Sequence, residues 1–282
     1  MLYLVRTKDA RRAAFRRGRR WSFSVAFRKG TSSVRKDNAM KQNEKNKRAK
    51  SRMGLGYGSE FHLLRWLGRH RANLNSRLEQ ILGSSNIQWM DFQFCHKNTD
   101  GDIPDTELRG LEFLEGNPNY QRALDAFRDG PMSWPQKGEI MNWDAIGRVG
   151  NMYILCEAKA HLEEVEKKYD PGDSPSIKQR ERAFSFAKEK FGASPDADWM
   201  HNFYQMANRL YIVALLEECK IPAILLNIYF CGDKHRDWVC PQTPEEWAPL
   251  LRDELEALKL DKTNKFFVDH VENLFLPIEK EP

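Results

Sequence analysis

Asn142-Trp143-Asp144-Ala145-Ile146-Gly147, followed by Met152-Tyr153-Ile154-Leu155-Cys156-Glu157-Ala158-Lys159, is the stretch on which the fold turns. It reads as two short strands, with Gly147 and Gly150 bracketing the hairpin between them. The first strand carries an acid. The second is an apolar run that ends in Glu-x-Lys. Side chains alternate faces along a strand, so Glu157 and Lys159 share one side and Ala158 takes the other. Pairing through the hairpin carries Asp144 to the neighbourhood of Glu157.

Upstream, Ser59-Glu60 has the form of a helix start, an N-cap followed by an acid in the first turn. Phe61, Leu63, Leu64, Leu67, Leu74, Leu78 and Ile81 keep a helical period up to Gly83, which predicts one continuous element. A short apolar run follows at Ile87–Phe92, then a polar turn region over Asn98–Asp105. Leu108–Leu114 and Tyr120–Phe127 read as short helices, and Pro131, Pro135 and Gly138 mark the approach to the sheet.

Downstream, residues 162–200 are strongly charged and carry Pro171, Pro175 and Pro195. They read as an inserted helical excursion with a helix near Ile177–Phe191. Trp199–Cys219 reads as a long amphipathic helix with Phe203, Met206, Leu210, Val213, Ala214 and Leu216 on its apolar side. Ile221–Phe230 is almost wholly apolar, the pattern of a strand buried on both faces. Pro244-Glu245-Glu246-Trp247 opens another helix to about Leu258, and a last short helix is expected around Phe266–Phe275. The order predicts an α/β fold, with a small central mixed sheet flanked by helices and a helical insertion. Residues 53–282 form one domain on this reading, with 233–282 as a helical C-terminal extension.

The chain has 282 residues, 41% of them hydrophobic, which suffices for one sizeable core with some chain left over. The net charge of +5 hides an asymmetry. Residues 1–52 carry 18 Lys and Arg against 3 Asp and Glu, while the remainder carries 27 against 37. The body is therefore acidic, and the average gives no support for a generally basic nucleic-acid binder. The basic leader has no continuous apolar segment, so it is not a secretory signal. Three readings remain for it: a nucleic-acid-binding arm, an organelle transit peptide, or an over-called start with initiation at Met40 or Met53. Disorder is the expectation in each case.

Cys95, Cys156, Cys219, Cys231 and Cys240 are odd in number and lack CxxC spacing, which disfavours zinc. Reduced, buried thiols in a cytoplasmic protein are the default reading. No apolar run reaches the length of a membrane span.

Two carboxylates brought together repel unless a cation sits between them. Hard oxygen donors with room for water suit Mg²⁺ or Mn²⁺. Asp144 and Glu157, helped by the Ala158 backbone carbonyl, are thus the candidate metal ligands. The metal acidifies a water and neutralises charge on a scissile phosphate. Lys159 orients that water and offsets the charge developing on phosphorus. Carboxylates more than about 8 Å apart could not share one ion.

An Asp, a dozen-residue spacer and an apolar strand ending in Glu-x-Lys resemble the PD-(D/E)xK nuclease superfamily, the restriction-endonuclease-like fold. The matching residues are Asp144, Glu157 and Lys159, and the flanking order of elements agrees over about residues 55–232. The resemblance implies Mg²⁺-dependent hydrolysis of DNA. It also implies a Gln from the following helix, here Gln205, and in some members a Glu from the leading helix, here Glu60. Double-strand cutting requires two such sites, hence a homodimer. Two departures stand out. Trp143 precedes the acid where the family has Pro, and Gln205-x-x-x-Arg209 stands where one branch has Gln-x-x-x-Tyr. The alternative from another class is a catalytically silent nucleic-acid-binding module of the same fold. A third reading makes the motif a surface ion pair.

Other motifs carry less. His62, His70 and His201 lack an HExxH partner, and His161 reads as a residue near the site rather than a ligand. Asp100, Asp102 and Asp105 lack the glycine a calcium loop needs. Gly147-x-x-Gly150 lacks both phosphate-loop and dinucleotide fingerprints.

Overall fold

The computed structural model describes residues 58–84, 86–90, 109–136, 140–165 and 176–278. The chain divides into two units, and every described element belongs to the one made of Tyr57–Asp91 and Glu107–Pro282. The basic leader, the Asn98–Asp105 turn region and Cys95 lie outside the described residues, as do Gly138, Pro171 and Pro175.

The centre of the fold is a five-stranded mixed sheet in the order β1-β2-β3-β4-β5. The strands are β1 Gln88–Trp89, β2 Ala145–Val149, β3 Met152–Lys159, β4 Ala223–Cys231 and β5 Val271–Pro277. β1, β2 and β3 pair antiparallel, whereas β3, β4 and β5 pair parallel. The helices are α1 Ser59–Gly68, α2 Arg71–Leu82, α3 Tyr120–Arg128, α4 Leu162–Val165, α5 Ile177–Phe191, α6 Tyr204–Glu218, α7 Pro244–Ala257 and α8 Lys265–His270.

All nine residues of β4 are buried. A strand can be that apolar only if both faces are covered. α6 is the last of the three helices that connect β3 to β4, and its Leu210, Val213 and Ala214 share a core with Leu155 and Leu225. α1 covers the other face. The His62 ring lies 5.4 Å from that of Phe230, and the Trp66 indole donates to the Pro277 carbonyl at 3.0 Å.

The structure differs from the sequence expectation at four places besides Leu108–Leu114, where only the single turn Glu112–Leu114 is helical among the described residues. The predicted helix from Ser59 to Gly83 is two helices, because Gly68 ends α1 and the chain turns at Arg69-His70 before α2. The Trp199–Cys219 helix begins only at Tyr204. Asp198 caps the Met200 and His201 amides at 3.1 and 3.0 Å, a local turn that competes with helix. Residues 266–275 are not one helix. α8 stops at His270, and Val271–Pro277 adds an edge strand along β4. The expected helical extension from residue 233 onward therefore also supplies a strand of the central sheet, Val271–Pro277.

The fourth difference is Gly147, which lies inside β2 opposite Ile154 rather than in the turn. The turn is Gly150-Asn151, with Gly150 in the left-handed region at φ 58°. Trp89 of β1 packs over Gly147, where a Cβ would come within 3.3 Å of the indole ring. Gly147→Val is expected to destabilise the fold by about 1–3 kcal/mol through overpacking. An unchanged urea midpoint would show that β1 yields freely.

Candidate active site

Ala145 pairs with Cys156 at the end of the β2–β3 ladder, so Asp144 stands opposite Glu157. The Asp144 amide donates to the Cys156 carbonyl at 3.3 Å. The Ala158 amide donates to Asp144 Oδ2 at 2.8 Å. Asp144 is thereby tied to the peptide that joins Glu157 to Ala158. Within a strand residue the N–H and C=O leave on the same side, so the Ala158 carbonyl also points toward β2.

Glu157 is the hub. Its Oε2 accepts from Arg209 Nε and Nη2, both at 2.8 Å. Its Oε1 accepts from the Lys159 ammonium and the Gln205 amide. Lys159 Nζ also donates to Gln205 Oε1 at 3.0 Å. Gln205 and Arg209 lie four residues apart on α6 and so share one helix face. Arg209 is fixed in turn by the Asn142 carbonyl at 2.7 Å, Asn208 Oδ1 at 2.8 Å and the Trp143 ring, 4.7 Å from its guanidinium carbon. Trp143 is anchored by its own bond to the Gly110 carbonyl at 2.9 Å. The departure from Pro before the acid thus supplies a platform for the arginine.

Burial alone would raise the pKa of Glu157, but the Arg209 and Lys159 charges outweigh it and hold the carboxyl down at about 2. Asp144 moves the other way, to about 7, through the protein crowded around its carboxyl and the facing charge of Glu157. The residue as a whole keeps an exposed flank. Solvent there softens the effect of enclosure, while the charge of Glu157 still acts in the same upward direction. Burial opposes the charge on Lys159, yet Glu157, Asp144 and Glu164 raise its pKa. Lys159 is consequently a protonated ammonium, suited to orienting and to charge compensation rather than to proton abstraction.

A cavity of about 20 Å³ opens beside the cluster, between Glu157, Lys159, Gln205, Asn227, Tyr229 and Glu254. That is room for about one water. Asn227 and Glu254 were not among the residues expected from sequence. Asn227 interrupts the apolar β4 run and pairs in register with Glu157 on one side and Asn273 on the other. Its amide donates to Asn273 Oδ1 at 3.0 Å. Glu254 lies on the buried stripe of α7 with Trp247 and Leu250. An acid at that helical spacing is the signal that could have found it.

Burial raises the Glu254 pKa to about 7, against a smaller downward pull from Lys159. Its folded pKa exceeds the unfolded value near 4.5, so the native state holds a proton that the unfolded state releases. Stability is full below pH 4.5 and falls as pH rises toward 7. Glu254→Gln is expected to gain on the order of 3 kcal/mol over the wild type at pH 8 and nothing at pH 4. Denaturation midpoints at the two pH values check this, and an equal shift at both would contradict it.

Glu60 stands exposed at the start of α1 and does not line the cavity. The same helix start does reach the rim of the site, since Ser59 Oγ donates to Glu164 Oε1 at 3.0 Å. Glu164 in turn accepts from the Ala160 amide at 2.8 Å. His161 stacks on Trp238 at 4.1 Å, and its Nε2 pairs with Glu164 at 3.1 Å.

Among the described residues, no group of three or more His, Cys, Asp or Glu side chains gathers as a metal cluster. A Mg²⁺ site needs fewer, because the ion keeps several waters and takes one or two carboxylates. Asp144, with a raised pKa opposite a second acid, is an under-compensated carboxyl that a cation would relieve. The donor set of Asp144, Glu157 and the Ala158 carbonyl therefore fits a hard divalent ion, provided Lys159 and Gln205 release Glu157 Oε1. Comparison with family models, curated proteins and solved structures gave no match.

Proposed function

We propose that this chain is a metal-dependent nuclease of the restriction-endonuclease-like fold that hydrolyses phosphodiester bonds in DNA. The observation that supports it is the placement of Asp144 on the Ala158 amide, opposite a Glu157 that is bonded to both Lys159 and Gln205. Asp144, Glu157 and the Ala158 carbonyl hold the cation. When bound, Mg²⁺ or Mn²⁺ supplies a Lewis acid for the phosphate and lowers the pKa of a water. Lys159 directs the attacking water and offsets charge on the phosphate oxygens. Gln205 keeps the Lys159 ammonium in line with Glu157, and Arg209 fixes the Glu157 carboxylate from behind.

One observation favours the alternative of a catalytically silent nucleic-acid-binding module. Both Glu157 oxygens are already satisfied within the protein. Incubation of the wild type with linear, nicked and single-stranded DNA decides between the two. The nuclease reading expects cleavage with Mg²⁺ or Mn²⁺ that chelation abolishes. DNA binding without cleavage under either ion establishes the silent module instead. Among the described residues, no helix is long and apolar enough to cross a membrane.

A further inference from the structure

Glu254 is a carboxyl group that the roles above leave unused. It is 5% exposed, and α7 delivers it into the cavity beside Lys159 and Glu157. It shares the cavity lining with the ammonium of Lys159 and the carboxylate of Glu157. An acid buried at a cavity wall is costly to ionise unless a cation comes within reach. The cation that acts on it is Lys159. Tyr229 lines the same small cavity as both acids.

Lys159 is committed to Glu157 and Gln205. A divalent ion held by Asp144 and Glu157 competes for Glu157 Oε1, the oxygen those donors use. Lys159 would then be left buried, at 11% side-chain exposure, with its anion turned elsewhere. Of the other acids that act on Lys159, Asp144 is taken by the ion and Glu164 is engaged by Ser59, Ala160 and His161, so a further anion on the cavity wall stabilises the buried ammonium.

We propose that Glu254 is a positioning residue for Lys159: it takes up the Lys159 ammonium when Glu157 turns to a divalent cation, and so keeps Lys159 aimed at the phosphate. The assignment rests on the nuclease reading. It brings α7, which lies beyond the residues that resemble the nuclease core, into the working of the site.

The test compares full-chain wild type, Glu254→Gln, Lys159→Met and the double variant. Mn²⁺ binding is read by electron paramagnetic resonance of the free ion, and single-turnover cleavage is followed on a DNA duplex. Glu254→Gln is expected to bind Mn²⁺ about tenfold more weakly and to lose about the same factor in kcat, with KM for DNA unchanged. Glu254→Asp keeps the charge and recovers most of both losses. Glu254→Met, apolar and similar in length, repeats the loss if the amide variant folds poorly. In the Lys159→Met background, Glu254→Gln changes Mn²⁺ affinity by less than about twofold, because the ammonium it serves is gone. Wild-type Mn²⁺ affinity and kcat in Glu254→Gln overturn the proposal. An undiminished loss in the Lys159→Met background also overturns it, since that marks a plain charge effect. A wild type that neither binds Mn²⁺ nor cuts DNA overturns the nuclease reading itself, a result distinct from activity that Glu254→Gln leaves intact.

Discussion

On the proposed nuclease reading, Lys159→Ala is expected to lose Mg²⁺-dependent DNA cleavage by a factor of about 10²–10³, the range found when one preorganised donor at a reacting centre is removed. The ammonium sits between Glu157 and Gln205, and its pKa is raised, so it carries full charge at neutral pH. Water that replaces it is mobile and uncharged and must reorganise as charge develops on the phosphate. The fold is expected to survive the change. Glu157 keeps both bonds from Arg209 and the bond from Gln205, so the buried carboxylate remains paired. Circular dichroism and DNA affinity should stay close to the wild type while the cleavage rate collapses. Equal rates in the two proteins would place the activity in a contaminant or at another site.

Arg209→Met is expected to destabilise the protein by about 3–5 kcal/mol, the loss seen when one partner of a buried ion pair is removed. Arg209 is 4% exposed and gives Glu157 two of its donors, and it also binds the Asn142 carbonyl and Asn208. Methionine fills part of the space against Trp143 but leaves the carboxylate under-compensated. The pH dependence carries the sign. Glu157 is held at about 2, below its ordinary 4.5, so the unfolded state takes up a proton first as pH falls. The stabilisation is present above pH 4.5 and is lost between there and pH 2. It amounts to about 3 kcal/mol at 1.36 kcal/mol per pH unit. In Arg209→Met that acid-side loss should shrink, because Glu157 no longer sits so far below its unfolded value. Urea midpoints measured from pH 2.5 to 7 would show it, and the same slope in both proteins would mean that Lys159 alone holds Glu157 down.

The legible parts of this molecule are those where local pattern and tertiary role agree. The apolar runs of β3 and β4 could only be buried strands, and Asp144 and Glu157 follow from the hairpin. Gln205 was expected only through the resemblance, since two other helices, α4 and α5, separate α6 from β3 in the chain. The partner of Arg209 was not legible, because the rotation of α6 about its own axis is set by packing against β3. β5 was hidden for a different reason. Phe266–Phe275 is apolar at mixed spacing, and only the unpaired edge of β4 makes Val271–Pro277 extended. Glu254 was masked by its surroundings, since Glu245, Glu246, Asp253 and Glu256 make α7 look like an acidic surface helix. Only the register with Trp247 and Leu250 separates it from them.

The parallel pairing of β5 with β4 also fixes an order of events during synthesis. A ribosome delivers Asp144, Glu157 and Lys159 well before residues 271–277, and Gln205 before Glu254. Until the later segment emerges, β4 is an open edge and the sheet beneath the site is incomplete. A nascent chain therefore carries the acids and the lysine without the framework that aligns them.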